Sequence, residues 1–393
     1  MSLTNPIVIA QCTEYSIKSF GGTEAIVAAL VRGLSPPFQI VLVSNDESDA
    51  IARSELSPFL RAHIPWRPEA ASAGAARHLA RQLEEHDVDL AHFHFGGNYG
   101  WGSRVVGQSP ISFLSKLGVP CVSTVHSFDS ILEGYCDAQR PLLFKLALLP
   151  AAWLGKISML RRVSAEVAVS QDNYQRLRAI YWPLRSRFRQ IYHSRIDNAA
   201  APVDTGQREP IILSVGHIAF RKGQHILAAA FAKIAPSHPQ WNLTVIGEVG
   251  EEACRREIEK TISENNLAGR IHLLGSRADA DAFMRRASIF VQPSLCEGLG
   301  LSLQEALFCG CACIGSRVGG IPELIEDGKN GLLVRPGNVD ELAAVLERLI
   351  DDALLRERFG VLGRASILER EMTADKMVQA YEKIYADVLN RRT

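Results

Sequence analysis

Short apolar runs recur along the chain, each followed by a turn and a longer stretch with helical periodicity. PIVIA (6–10), FQIVLVS (38–44), VDLAHFH (88–94), VPCVSTV (119–125), AEVAVS (165–170) and FRQIYH (188–193) read as strands. Runs this continuously apolar suit strands covered on both faces, so the pattern predicts a parallel sheet with helices on either side. The polar connection NAAAPVDTGQREP (198–210) breaks the pattern. It then restarts with PIILSVG (210–216), NLTVIG (242–247), RIHLLG (270–275), SIFVQPS (288–294), CACIGS (311–316) and GLLVRP (331–336). The reset marks a domain boundary. Two α/β doubly wound domains are expected, over 1–198 and 199–370, with a closing helical segment over 371–393. Such domains bind ligands beyond the C-terminal ends of their strands, here across a cleft between two facing sets.

A chain of 393 residues is too long for one ordinary core and fits two. Its 47% apolar and 22% charged residues are ordinary for a soluble globular protein. No charge-free apolar run of membrane-spanning length and no leader-like N-terminus are evident, so a cytoplasmic location is expected. Lys plus Arg and Asp plus Glu balance at 43 each, which leaves no overall basic field for nucleic acid. Cys309, Cys311 and Cys313 alternate where a helix end meets a strand, without a Cys-x-x-Cys pair. They read as buried thiols, and no metal site is expected.

Chemistry concentrates in VQPSLCEGLGLSLQEALFCG (291–310), where a strand runs into a Pro/Gly-rich turn and a helix opens. Glu297 falls in the turn and Glu305 eight positions later on the helix. Gly298 and Gly300 keep side chains away, so the amides from Leu299 through Leu301 to Ser302 can meet an anion at the positive end of the helix. A carboxylate accepts hydrogen bonds from a vicinal diol. The order acid, amide cluster, acid therefore suits a sugar, a phosphate and a ribose in a row.

That window, with GGIPELIEDGKNGLLV (319–334), resembles the retaining glycosyltransferase family 4 of GT-B fold. GGTE (21–24), DLAHFHF (89–95), VPCVSTVHSFD (119–129), VAVS (167–170), IYHSRID (191–197) and LSVGHIAFRKG (213–223) extend the resemblance over nearly the whole chain. It implies two Rossmann-like domains facing across a cleft, with the last helix returning to the first domain. The implied activity is retaining, metal-independent transfer of a sugar from a nucleotide-sugar to a hydroxyl, without a cofactor. Saccharide, lipid-linked and small-molecule acceptors all fit, as in the building of envelope polysaccharide, glycolipid or glycoconjugate. By the same resemblance Glu297 meets the transferred sugar, Glu305 the ribose, and Lys222 the donor diphosphate. His217 stands after Gly216 where the family has a basic residue, and Arg221 is placed to substitute for it. Gly21 and Gly22 match the glycine pair facing the donor phosphate, and His126 the cleft histidine near the sugar. His92 and His94 share a strand face and suit packing as well as a site. A nucleotide-sugar 2-epimerase and a catalytically silent sugar-binding protein are the competing readings.

From Arg140 to Arg195 eleven Lys/Arg face only Glu166 and Asp172. PLLFKLALLPAAWLGKISMLRR (141–162) sets apolar residues between the basic ones, although Pro150 is expected to interrupt a single helix. An anionic membrane surface and a solvated basic face packed on the first domain are both open readings, the former making the enzyme peripheral on the inner face of the membrane.

Overall fold

Each apolar run named above forms a strand. The structure, a computed structural model, describes residues 6–17, 21–67, 72–103, 108–133, 141–197 and 208–391. Most of the polar connection expected at 198–210, and Arg140, lie outside them. Two compact units result, one from Met1–His193 with Ala374–Thr393, the other from Ser194–Thr373.

The first unit holds β1 (Ile7–Thr13), β2 (Phe38–Ser44), β3 (Leu60–Pro65), β4 (Leu90–Phe95), β5 (Cys121–Val125), β6 (Ala165–Ala168) and β7 (Phe188–Gln190). They form one parallel sheet in the order β3-β2-β1-β4-β5-β6-β7. The chain thus runs outward from β1 to one edge, then crosses to β4 and runs to the other, leaving a switch point between β1 and β4. β3 was not anticipated. It is an edge strand whose residues are only partly buried, with Ile64 its one buried member.

The second unit repeats the plan with β8 (Glu209–Val215), β9 (Asn242–Ile246), β10 (Ile271–Leu273), β11 (Ala287–Gln292), β12 (Ala312–Ser316) and β13 (Leu332–Val334). Their order is β10-β9-β8-β11-β12-β13, so the switch point falls between β8 and β11. Each unit has its own apolar core, around Val41, Phe93 and Leu160 in one and Leu227, Val245 and Leu346 in the other. Cys309, Cys311 and Cys313 are buried free thiols.

Alternation along β4 separates two interiors. Phe93 and Phe95 enter the apolar core, while His92 and His94 point to the opposite face and are fully buried there. That face is covered by the closing helix Ala374–Asn390, whose Tyr381 and Tyr385 hydroxyls meet the polar groups of the sheet. The helix buries Met377, Val378, Tyr381, Ile384, Tyr385 and Val388, one stripe at helical spacing.

Two expectations for the basic stretch need correction. A single helix, Leu142–Leu160, runs through Pro150. Proline removes one backbone hydrogen bond, and the helix continues because burial of its second half, including Ala152, Ile157 and Leu160, compensates. The basic face is also thinner than the charge count implied. Lys156 is wholly buried and donates to Glu166 Oε2 at 2.9 Å and to the Asn98 carbonyl at 3.0 Å. Arg187 donates to the Val163 carbonyl, and Arg176 pairs with Asp172 and donates to the Phe128 carbonyl.

Ser123 Oγ donates to the same Glu166 oxygen at 2.9 Å, tying β5 and β6 to the helix through one buried carboxylate. Desolvation pulls the Lys156 ammonium below its usual pKa, and the adjacent carboxylate offsets only part of this. Lys156→Met should therefore destabilise the protein by about 3–5 kcal/mol, because it strands a buried charge. The double change Lys156→Met with Glu166→Gln should recover much of the loss. Urea denaturation of the two variants checks this, and equal stabilities would refute it.

Candidate functional site

In the second unit, three loops at the C-terminal ends of β8, β11 and β12 are pressed together by backbone contacts that only glycine permits. Gly223 sits at φ +73°, and a Cβ there would overlap the Pro293 carbonyl; Gly319 sits at φ +50°, and a Cβ there would overlap the Glu297 carbonyl. Hydrogen bonds fix the same contacts. The Arg221 carbonyl accepts from Leu295 N at 2.8 Å, and the Gly298 carbonyl from Gly320 N at 3.1 Å.

This clamp brings Lys222, in the short turn Phe220–Lys222, against Glu297 across 75 positions of sequence. Lys222 Nζ lies 2.7 Å from Glu297 Oε2, with both side chains nearly buried. Gln292 Nε2 and Ser294 Oγ donate to the same oxygen at 3.1 Å each, and Gly298 N to Oε1 at 3.3 Å. Burial alone would raise the Glu297 pKa, but Lys222, Arg221 and Ser294 together hold it below the ordinary carboxylate value. Glu297 is thus a fixed anion. Gln292 and Ser294 were not anticipated, although a hydroxyl three positions before the acid is a readable signal.

Beyond Glu297 the chain turns at Gly300 and opens the helix Leu301–Phe308, whose N-terminus no side chain caps. Leu301 and Ser302 are partly exposed, while Gly298, Leu299 and Gly300 are buried. Uncapped first-turn amides retain their donors for an anion. Glu305, one helical turn on, is held by Arg195, with Nη2 to Oε2 at 2.5 Å. Arg195 belongs both to the basic stretch and to the block IYHSRID, and its place beside Glu305 depends on where that block meets the helix.

Gly216 and His217 lie between β8 and Lys222, and both their carbonyls accept from Gln224 Nε2. The His217 pKa is lowered, first by burial and then by Arg221 and Lys222, so it is neutral at pH 7 and brings no cationic charge. Arg221 itself is exposed.

In the first unit, described by itself, the candidate groups lie beyond β1 and β5. Gly21 is the N-cap of the helix Gly22–Gly33 and has ordinary extended φ and ψ. The space a Cβ at Gly21 would need is filled by the Glu24 carboxylate, which is folded back at the capping-box position. His126 follows β5 directly, its amide donating to the Phe95 carbonyl at 2.9 Å. Its Nε2 lies 3.0 Å from His94 Nδ1. His92, His94 and His193 are buried behind it, and burial pushes all four histidine pKa values down, that of His126 to about 3.

The chain matches the family described as Glycosyltransferase Family 4 over residues 20–194 and that described as Glycosyl transferases group 1 over residues 196–365. It is 32% identical to N-acetyl-alpha-D-glucosaminyl L-malate synthase of Bacillus anthracis over 322 residues, 80% of this chain and 78% of that one. Two solved structures share the two-domain fold. One is Anabaena Alr3699/HepE in complex with UDP-glucose, with TM-score 0.76 and 19% identity over 97% of this chain and 100% of that one. The other is sucrose-phosphate synthase from Thermosynechococcus elongatus, with TM-score 0.75 and 21% identity over 98% of this chain and 100% of that one. The chain belongs to the family 4, group 1 glycosyltransferases. It is an enzyme of biosynthetic sugar transfer with the GT-B fold, and these relatives lend no support to the epimerase or silent-binder readings.

The buried histidines give a pH signature. Their folded pKa values lie below the ~6.5 of an unfolded histidine, so under acid conditions the unfolded chain binds protons that the folded chain does not. This stability is complete above about pH 6.5 and is lost as pH falls toward 3, by up to about 1.4 kcal/mol per pH unit for each histidine. Urea midpoints should drop between about pH 7.5 and 5.5, and His92→Gln should flatten the slope. A flat wild-type profile would contradict neutral burial.

Proposed function

We propose that the enzyme takes its sugar from a nucleotide-sugar and passes it to a hydroxyl acceptor with retention, without a metal or other cofactor. The observation that carries this reading is the fixed Glu297–Lys222 pair beside the uncapped helix N-terminus at Gly300. A diphosphate lying over the first-turn amides of Leu301 and Ser302 would have the helix dipole behind it and the Lys222 ammonium beside it. Arg221 is positioned to add charge from the rim, and neutral His217 to add a hydrogen bond. Glu305, oriented by Arg195, suits the ribose diol, and Glu297 the hydroxyls of the transferred sugar.

As the anomeric C–O bond to the diphosphate breaks, positive charge grows on the sugar and negative charge on the leaving group. The acceptor oxygen bonds to the same face of the anomeric carbon, and its proton passes to a diphosphate oxygen. Both Glu297 oxygens are engaged by neighbouring donors, which suits a fixed electrostatic partner better than a nucleophile. Charge on the leaving group is met by Lys222 and amides. The Asp-x-Asp triplets at Asp87–Asp89 and Asp279–Asp281 serve structure, Asp89 accepting from Val8 N and Asp279 pairing with Arg277. His126 and the Gly21–Gly22 turn, at the C-terminal ends of their strands, suit the sugar and acceptor side.

A thermal-shift panel of UDP-, GDP- and ADP-sugars tests the donor, and the anomeric configuration of the product by NMR tests retention. No stabilisation by any nucleotide-sugar would overturn the reading. Glu305→Ala should weaken nucleoside diphosphate binding by about 1–3 kcal/mol, measured by calorimetry. Lys222→Ala should lower turnover about 10²–10³-fold, beyond its effect on donor affinity. His126→Ala should lower turnover roughly 100-fold with nucleotide affinity unchanged.

An inner-membrane-surface location has its own observation. In the helix Leu142–Leu160 the side chains of Leu143, Phe144, Leu146 and Leu154 are exposed, Leu143 by 81%. The helix is also apolar and long enough to cross a membrane by length and composition, although a third of it is buried in its unit. Lying flat, it would bury these residues among lipid acyl chains with Lys145 at the headgroups, which suits a lipid-linked acceptor. Sedimentation with anionic vesicles at low salt should capture the protein, and Leu143→Ser with Phe144→Ser should release it; wild type left in the supernatant refutes the location.

A further inference from the structure

Behind His126 runs a buried chain of hydrogen bonds. Seven bonds link eight side chains in the order His126, His94, Gln11, Tyr385, His92, Thr124, Tyr381, His193, each 2.7–3.0 Å long. Every group except the terminal His126 is essentially inaccessible to solvent.

Of these groups, only the Gln11 amide carries a donor and an acceptor on separate atoms that cannot exchange roles without turning over. Its Oε1 must receive a hydrogen from His94 Nε2, at 3.0 Å. A neutral imidazole has one N–H, so His94 Nδ1 is then an acceptor, and the hydrogen between the two rings belongs to His126 Nε2. On the other arm Gln11 Nε2 donates to Tyr385 Oη at 2.9 Å, so the Tyr385 hydroxyl donates to His92 Nδ1 at 2.7 Å. His92 Nε2 next donates to Thr124, Thr124 to Tyr381, and Tyr381 to His193 Nε2.

All the bonds therefore run in one direction through a single amide. Reversing only part of the chain would leave a hydroxyl hydrogen or a ring nitrogen without its partner inside the unit, away from water. Turning the amide over would reverse every bond, so the orientation of Gln11, with Nε2 toward Tyr385 and Oε1 toward His94, sets the direction of the whole chain.

We propose that Gln11 and Tyr385, acting through His94, are positioning residues that hold His126 as its Nε2–H tautomer, so that Nδ1 offers a lone pair to a sugar hydroxyl. The proposal rests on the reading of His126 as a sugar contact. It makes the closing helix, which contributes Tyr381 and Tyr385, part of the machinery that sets one proton in the first unit. Burial keeps all four rings neutral at pH 7, the condition under which a tautomer can be passed from ring to ring.

The tautomer can be read without any substrate. In full-length protein labelled with 15N at histidine, long-range ring correlations at about pH 7.5 distinguish an N–H at Nε2 from one at Nδ1, and loss of signals in His126→Asn assigns the ring. Wild type should show His126 protonated at Nε2. Tyr385→Phe removes one oxygen and frees the amide; Gln11→Leu removes the amide itself. In both variants the His126 pattern should move to the averaged shifts of two exchanging tautomers. A wild-type ring protonated at Nδ1, or an unchanged Nε2–H pattern in both variants, would overturn the proposal. Normal turnover of His126→Ala would instead remove the sugar contact on which it rests, whatever the spectra show.

Discussion

The ion pair between Lys222 and Glu297 organises the second unit. Neither partner tolerates its position alone, because removing one leaves a nearly buried charge without its counter-charge. Together they are stable only if two loops 75 residues apart in sequence approach within hydrogen-bonding distance. That approach needs Gly223 against Pro293 and Gly319 against Glu297, contacts too close for any side chain. The glycines, the ion pair and the exposed first turn of the helix Leu301–Phe308 are thus one structural requirement. Loosening the glycine contacts would unpair the charges and move the amides that remain available to an anion.

Polar groups are buried differently in the first unit. There a neutral network replaces an ion pair, and the two solutions suit different tasks. A fixed pair of opposite charges makes a steep field, useful where charge separates during a reaction. A neutral network makes almost none, but it defines hydrogen-bond direction and so prepares a ring nitrogen as donor or acceptor. Lys156 and Glu166 show that the first unit can bury an ion pair too, with the ammonium over the Phe95 ring of β4.

The strands were legible because a parallel sheet covered on both faces leaves a nearly continuous apolar signature, which no surface element imitates. β3 escaped because an edge strand with one buried side chain and a terminal proline carries little of that signature. The helix through Pro150 was misread for the converse reason, since a local rule about proline was outweighed by burial of the half that follows it. Lys156 counted as surface charge because composition cannot distinguish a solvated lysine from one facing a carboxylate ten residues away. Glu297, Lys222 and Glu305 were visible as residue types in a patterned window. Their partners Gln292 and Ser294 lie within five residues of Glu297 and carried a local signal, whereas Arg195 meets Glu305 across 110 positions and carried none.

The two glycines at the start of the first helix show how a motif and its physical cause can separate. A pair of glycines suggests a backbone bared for a ligand, yet Gly21 has ordinary dihedral angles and its open side is filled by Glu24. What glycine permits at position 21 is the folding back of the Glu24 carboxylate over its own helix N-terminus. A diphosphate would have to displace that carboxylate or bind beside it, and an anion beside an anion is unfavourable at close range. Negative charge is therefore better received in the second unit, where the helix N-terminus at Gly300 is uncapped and Lys222 adds a cation. The first unit's turn is better suited to neutral hydroxyls, for which a buried carboxylate is an acceptor and not a repellent.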